Sequence, residues 1–160
     1  MSDPDDAERE RKLARRRAWN FAFADNVPHN RALGIQIEDL GDDWALFRLP
    51  YDPRLVGNPE TGVLHGGVIT TLLDGCSGAA VFSRLPQIQP IATLDLRIDY
   101  LRPAEPGKEV RARAHCYHMS RNVAFTRAVA YHDREDDPIA SAAGTFMLAT
   151  KIGNAPRRPA

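Results

Sequence analysis

The feature that most constrains the fold is an apolar run at residues 61–83 that carries a single formal charge, at Asp74. The run reads as one long helix whose apolar side chains lie on almost every side. Such a helix has to be wrapped by other elements, because a helix lying on a surface keeps one polar face. A carboxylate on this helix is costly to bury unless it is paired or used. Asp74 is therefore the strongest indication of function in the sequence.

The rest of the chain reads mainly as strands. Two short alternating segments precede the apolar helix, at 35–40 and 44–49, and residues 51–62 read as a loop. Four longer ones follow it, at 92–101, 110–118, 123–132 and 139–150. In the first of these, alternation predicts one buried face formed by Ala92, Leu94, Leu96, Ile98 and Tyr100. We predict an α+β fold in which an antiparallel sheet curls around a long central helix.

The two ends of the chain differ from this core in composition. Residues 5–26 read as a charged helix. Across residues 3–26, six acidic and six basic residues cancel, so we expect a solvated helical extension. The end of the chain is rich in Pro and Arg, and we expect it to be loose. The predicted organisation is an N-terminal extension at 1–28, one domain at 29–152 and a flexible tail at 153–160.

Composition excludes several classes of function. Lys plus Arg equals Asp plus Glu, at 21 each, so no global charge favours nucleic acid or an anionic membrane. The two cysteines, Cys76 and Cys116, form no metal-ligand spacing, so we expect no metal site. The first twenty residues are charged, and no stretch approaches a membrane span, which predicts a cytoplasmic protein.

Two glycines, Gly66 and Gly67, stand at the start of the apolar helix after His65. Each glycine lowers the stability of a helix by about 1 kcal/mol relative to Ala. In return, a ligand can approach the backbone closely, where the unpaired first amides can stabilise an oxyanion. The alternative is that the glycines only allow close packing of the helix against a strand. For Asp74, the alternative is a structural acid that is hydrogen-bonded to Thr70 or Thr71.

Asp74 cannot act at the glycine amides of its own chain. Seven or eight residues at 1.5 Å each place it about 10–12 Å along the helix from those amides. A second copy of the helix, antiparallel to the first, would bring Asp74 of one subunit near the glycines of the other. The sequence therefore indicates a homodimer with composite sites.

Several segments together resemble the hot-dog-fold thioesterases of the phenylacetic-acid-degradation and acyl-CoA thioesterase type. They are the His-Gly-Gly triplet with an acid nine residues after its His, the Thr-Leu-Asp-Leu segment at 93–96, and the Tyr-Leu-Arg-Pro-Ala segment at 100–104. The resemblance covers about residues 30–150. It implies the hot-dog fold, hydrolysis of an acyl-CoA thioester, and the same homodimer, with a dimer of dimers left open. No cofactor is implied, because coenzyme A is part of the substrate.

The resemblance also implies roles for individual residues. The amide of Gly66 or Gly67 binds the thioester oxygen, and Asp74 attacks the carbonyl or activates water. Among the remaining positions, the resemblance implies polar roles beside the carbonyl or the water for His65, Asn58 and Thr93, and coenzyme A contacts for Tyr100, Arg102, Arg121 and Asn122. The spacing from Asn58 to His65 is one residue longer than in many members. His65 could equally be a helix cap, and Thr93 an ordinary strand residue.

Two other functions remain open at this point. A non-catalytic acyl-CoA-binding or sensing protein would keep the fold, although the single neutral helix before the domain is unlike a DNA-binding module. A dehydratase needs a differently placed His with an acid partner, a pattern that is absent from the sequence. The acyl group is undetermined, with Val68, Leu72 and Phe82 as candidate lining residues.

Overall fold

The structure is a computed structural model that describes residue 10 and residues 13–14, 17–87 and 89–148. The helices are α1 (Pro28–Leu33) and the central helix α2 (Gly66–Arg84), and the strands are β1 (Gln36–Leu40), β2 (Trp44–Leu49), β3 (Val56–Asn58), β4 (Val63–Leu64), β5 (Ile91–Tyr100), β6 (Val110–Met119), β7 (Val123–Tyr131) and β8 (Ala140–Leu148). A six-stranded antiparallel sheet curls around α2, and strand pairing follows the order β1-β2-β6-β7-β8-β5. A separate hairpin of β3 and β4 precedes α2.

Helix α2 is wrapped as its composition requires. It packs chiefly on β2, β6 and β7. Fully buried helix residues such as Leu72, Leu73 and Ala80 meet an inner sheet face made largely of alanine, including Ala112 and Ala130. Small side chains on the sheet let a bulky helix approach closely without voids, which is the packing that a close-packed core requires. The predicted α+β architecture is confirmed.

The segment before the sheet docks on the edge strand β1. The predicted N-terminal helix is present at its described residues and ends in a π-helical turn, Asn20–Asp25. The Asn20 side-chain amide donates to Ile37 O and accepts from Ile37 N, both at 2.8 Å. This pair of bonds imitates a strand neighbour, so the edge of β1 is partly covered at this point. The predicted tail at 153–160 lies outside the described residues, and the domain boundaries stay predictions.

Strand β5 departs from the predicted alternation. A β-bulge between Thr93 and Asp95 puts Thr93 opposite the buried Phe146 of β8, so that Thr93 faces α2. Leu94, predicted to be buried, is instead 57% exposed. The prediction was wrong because one extra residue in a strand exchanges the two faces beyond it.

The predicted loop at 51–62 is also more ordered than expected. A 3-10 turn, Pro53–Leu55, and strand β3 form within it. Within the described residues, no helix is long and apolar enough to cross a membrane.

Both cysteines are buried, and burial raises the pKa of each thiol. Cys76 S–H also points at the carbonyl oxygens of Ala45 and Ala112. The thiolate is the reactive form, so we expect both thiols to react slowly with Ellman's reagent at mildly alkaline pH in the folded protein. After unfolding in guanidinium, both should react rapidly. Prompt reaction of one thiol equivalent with the folded protein would contradict the burial described for these residues.

Candidate active site

His65 caps the central helix. Its backbone N–H donates to Leu55 O at 2.9 Å, which fixes the chain as it leaves the β3–β4 hairpin. Its side-chain Nδ1 accepts a hydrogen bond from Gly67 N–H, also at 2.9 Å. The cap satisfies one of the amides that a helix start leaves without a partner. The two roles considered for His65 were a polar group beside the substrate and a helix cap, and the structure shows the cap.

The two glycines at the helix start differ in what they offer a ligand. A Cβ added at Gly67 would lie 3.0 Å from His65 Nδ1, which is a tight contact, so glycine at this position favours the cap. The Gly67 amide is occupied by that cap, whereas no acceptor for Gly66 N–H is found within the described part of the chain. Since this amide stands at the positive end of α2, it is the one available to polarise a carbonyl.

Three hydroxyls surround the first turn of α2. Thr70 and Thr71 donate to the carbonyl oxygens of Gly66 and Gly67 at 3.2 and 3.0 Å. Tyr100 OH, from the end of β5, donates to Gly66 O at 2.8 Å and lies 2.8 Å from Thr70 Oγ1. These threonines therefore bond the helix backbone, and the alternative in which they hold Asp74 is not observed.

Asp74 is held instead by Thr93. The hydroxyl of Thr93 donates to Asp74 Oδ1 at 3.0 Å, and the β5 bulge is what turns that hydroxyl toward the helix. Asp74 is half-buried, two helical turns beyond Gly66 and on the same face as Thr70. The carboxylate is thus oriented by a neutral donor and remains partly accessible.

The other predicted residues lie further from this pair. Asn58 Oδ1 accepts from Glu60 N–H at 3.0 Å, which places the side chain in the hairpin turn. Arg102 donates to the Asp137 carboxylate and main-chain carbonyl at 3.0 and 2.9 Å. Arg121 and Asn122 are exposed in the β6–β7 turn. No bond within the described residues joins these four side chains to Asp74 or to the helix start, and their predicted roles stay predictions.

Two clefts flank the helix start. The Arg102 cleft lies beside Gly66 and is lined by Val63, Leu64, Gly66, Ile69, Tyr100, Leu101, Arg102, Pro103, Ala104 and Ile139. The α1 cleft lies beside Gly67 and is lined by His29, Leu33, Arg54, Leu55, Val56, His65, Gly67, Val68 and Thr71. Of the three residues predicted to line an acyl pocket, only Val68 borders a cleft at the helix start, and Leu72 is fully buried in the core.

The family model described as the thioesterase superfamily matches residues 61–139. The Escherichia coli K12 protein named medium/long-chain acyl-CoA thioesterase YigI is 35% identical over 139 residues, which cover 79% of this chain and 88% of that protein. This chain belongs to the thioesterase superfamily. As a member, it is a thioester hydrolase, and the expected family is confirmed.

Solved structures agree with the fold of this thioesterase. A crystal structure of a Pseudomonas aeruginosa protein is 44% identical, with a TM-score of 0.73, and the match covers 80% of this chain and 95% of that one. The E. coli PaaI protein, from the phenylacetic acid degradation operon, matches with a TM-score of 0.72 at 22% identity, over 82% of this chain and 93% of that one. The second likeness shows the fold alone, and together the two confirm the predicted hot-dog fold.

The His65 cap gives a stability prediction. We expect His65→Ala to lower the free energy of unfolding by about 1 kcal/mol, because the Gly67 amide loses its acceptor. His65→Asn should retain most of the stability, since Asn is a favoured capping residue. Urea unfolding of both variants at one protein concentration measures the difference. Equal stability of His65→Ala and the wild type would show that the cap does not stabilise the fold.

Proposed function

We propose that this thioesterase hydrolyses acyl-CoA to a free acid and coenzyme A, at sites that two copies of the chain build together. Asp74 of one copy and the Gly66 amide of the other are the reacting pair in this proposal. The name of the E. coli relative, a medium/long-chain acyl-CoA thioesterase, supports the substrate class. The site residues are supported by contacts along β5.

The observation that carries the proposal is that β5 contacts the central helix at two separate points. Thr93, near the start of the strand, bonds Asp74, and Tyr100, at its end, bonds Gly66 O. Strand and helix therefore run in opposite directions, with the carboxylate near one end of β5 and the glycine near the other. Within one chain the two groups are about 12 Å apart along the helix, too far to act on one carbonyl.

A second copy of β5 would close that gap. Strand β5 ends the six-strand order, and within the described chain only β8 pairs with it. It also carries exposed apolar side chains, with Leu94 at 57% and the adjoining Leu101 at 56%. An unpaired apolar edge favours pairing with another strand. Antiparallel pairing of two β5 strands puts the Thr93 end of one beside the Tyr100 end of the other, which brings Asp74 to the partner's Gly66 amide.

The chemistry then follows from the two groups. The Gly66 N–H binds the thioester oxygen and stabilises the negative charge that develops as the carbonyl becomes tetrahedral. Asp74 either attacks the carbonyl carbon or takes a proton from the water that attacks it. In both routes the C–S bond breaks, coenzyme A leaves as the thiolate and takes a proton, and water supplies the second oxygen of the acid. Thr93 keeps the carboxylate in position.

The role of Asp74 is tested by substitution. We expect Asp74→Asn to lower kcat at least about 100-fold, because an amide is neither a nucleophile nor a base here. Thr93→Val should lower kcat about tenfold, because the carboxylate loses the donor that orients it. Thr93→Ser retains the donor and should retain most of the rate. The measurement is thiol release from a panel of aliphatic and aromatic acyl-CoAs, with circular dichroism as the folding control. Undiminished turnover by Asp74→Asn would refute the mechanism, and tight binding without thiol release by the wild type would favour a binding protein.

The amide of Gly66 can be removed with little change to the helix. Proline is favoured at the first helical position, and His65 already has the extended backbone (φ −63°, ψ 134°) that precedes a proline. We expect Gly66→Pro to lower kcat about 100- to 1000-fold, because one oxyanion donor is lost. Gly66→Ala is the matched control, since it retains the N–H and its Cβ meets Tyr100 OH at 3.4 Å.

Mixing the two inactive variants tests whether the site is shared. Subunits of Gly66→Pro and Asp74→Asn, exchanged at equal amounts, should regain about a quarter of the wild-type sites, because each mixed dimer contains one intact pair. Absence of any regained activity after verified exchange would show that both groups act within one chain.

A further inference from the structure

His132 is a buried histidine that the proposed reaction does not use. It follows β7 directly, it is 3% exposed, and both of its ring nitrogens contact the backbone of the β5–β6 loop, residues 101–109. Nε2 lies 2.8 Å from the amide nitrogen of Glu105, and Nδ1 lies 2.7 Å from the carbonyl oxygen of Glu109. One imidazole therefore ties both ends of the turn at 105–109 to the end of β7. We call this pair of hydrogen bonds the His132 clamp.

The two contacts together fix the protonation state of the ring. A carbonyl oxygen only accepts, so Nδ1 carries the hydrogen that Glu109 O accepts. An amide N–H only donates, so Nε2 carries no hydrogen and accepts from Glu105. The clamped imidazole is therefore neutral. A second proton would lie on Nε2 and face the Glu105 N–H, so that two buried donors would meet without an acceptor.

The loop that the His132 clamp holds forms one wall of the Arg102 cleft. Residues 101–104 line this cleft, which also borders Gly66 at the start of the central helix. Ala104 is 4% exposed and comes directly before the clamped Glu105. A shift of Glu105 away from His132 would therefore move the wall that faces the helix start.

The tip of the same loop supports the opposite wall of the cleft. A Cβ added at Gly62 would lie 3.2 Å from Pro106 Cβ, so the loop tip packs closely on the turn between β3 and β4. Tyr51 OH donates to Gly62 O at 2.9 Å, which holds this turn from its other side. The next two residues, Val63 and Leu64, line the cleft. Both walls of the Arg102 cleft thus depend on the position of the loop.

The charged groups near His132 are paired with one another. The carboxylates of Glu105, Glu109 and Asp133 form ion pairs with Arg48, Arg102, Lys108 and Arg111. Arg111 also donates to the main-chain oxygen of His132 at 3.4 Å. Each of these carboxylates has a cation within the described residues, so none is left over to stabilise a protonated ring. The pairs of Lys108 are largely exposed, and such pairs stabilise a loop little.

We propose that His132 is a positioning residue for hydrolysis, which holds the Arg102 cleft in its binding form while the imidazole is neutral and releases it when the imidazole is protonated. This inference rests on the proposed acyl-CoA hydrolysis, in which the carbonyl lies at the Gly66 amide beside this cleft. The released loop leaves His132 with one more proton than the clamped loop does. Acid therefore favours release, and a higher pH favours the clamp.

The clamp is tested first without any substrate. Amide exchange of Glu105, measured by NMR and divided by the intrinsic rate at each pH, gives a protection factor. We expect this factor to fall at least fivefold from about pH 8 to about pH 5.5, the interval in which imidazoles gain a proton. In His132→Gln it should stay within about twofold, because Gln presents one donor and one acceptor, as a neutral imidazole does, and does not titrate. The Leu101 amide, which donates to Ile139 O at 2.8 Å, is the internal control and should keep its protection.

The effect on hydrolysis is measured by thiol release from an acyl-CoA. At about pH 8, we expect His132→Ala to raise KM about tenfold and to leave kcat within about twofold, because the cleft walls shift while the groups that bond Asp74 and Gly66 remain. His132→Gln should restore most of the wild-type KM. An Ala variant that lowers kcat and leaves KM unchanged would contradict a role in holding the cleft.

The pH profile separates positioning from a merely structural role. From about pH 8 to about pH 5.5, wild-type kcat/KM should fall at least fivefold more than that of His132→Gln, because only the imidazole takes up a proton. His115→Gln is the matched control, since it alters an exposed histidine of β6 that lies 3.0 Å from Asp43, and it should keep the wild-type profile.

Equal profiles for the wild type and a folded His132→Gln would overturn the inference, and hydrolysis itself would stand. If His132→Gln does not fold, the wild type alone decides, because a Glu105 protection factor that is constant over this pH interval excludes release. If the wild type releases thiol from no acyl-CoA, the proposed function fails. The exchange of the Glu105 amide then still shows whether acid opens the clamp.

Discussion

The rest of the structure depends on the burial of one helix. Helix α2 has Leu72, Leu73, Cys76 and Val81 without any solvent exposure, and this chain buries them by wrapping the sheet around the helix. The alanines on the inner face of the sheet are the complement of these bulky side chains. Their small size lets the helix sit close to the strands, and that closeness determines which polar groups can face each other.

Only one side of α2 escapes this packing, and the polar chemistry lies there. Gly66, Thr70 and Asp74 are spaced by four residues, so they line a single helix face, and that face looks toward β5. Because β5 ends the sheet, this face is also the one nearest to solvent or to a second chain. The core thus leaves the carboxylate and the helix-start amide at the boundary of the fold, where a substrate can reach them.

Much of the architecture could be predicted from the sequence. The uninterrupted apolar run predicted the central helix, and the alternation of apolar and polar residues predicted the main strands. The spacing from Gly66 to Asp74 indicated a composite site. The partners of the polar groups could not be predicted. Whether Asp74 bonds Thr70, Thr71 or Thr93 depends on a β-bulge that the alternation of residue types in β5 does not reveal. The contact of Tyr100 with Gly66 O joins residues that are 34 positions apart in the sequence. The α1 cleft is likewise formed by three segments that are distant in sequence.

The β5 bulge has a consequence for how such sequences diverge. Its one extra residue decides whether Thr93 points at the carboxylate or away from it, so the loss of a single residue such as Leu94 would invert the start of the strand without altering any polar residue of the site. Two relatives with the same histidine, glycines, aspartate and threonine could then differ in activity through chain length alone. In this fold, the number of residues between the polar groups of the site therefore matters as much as the groups themselves.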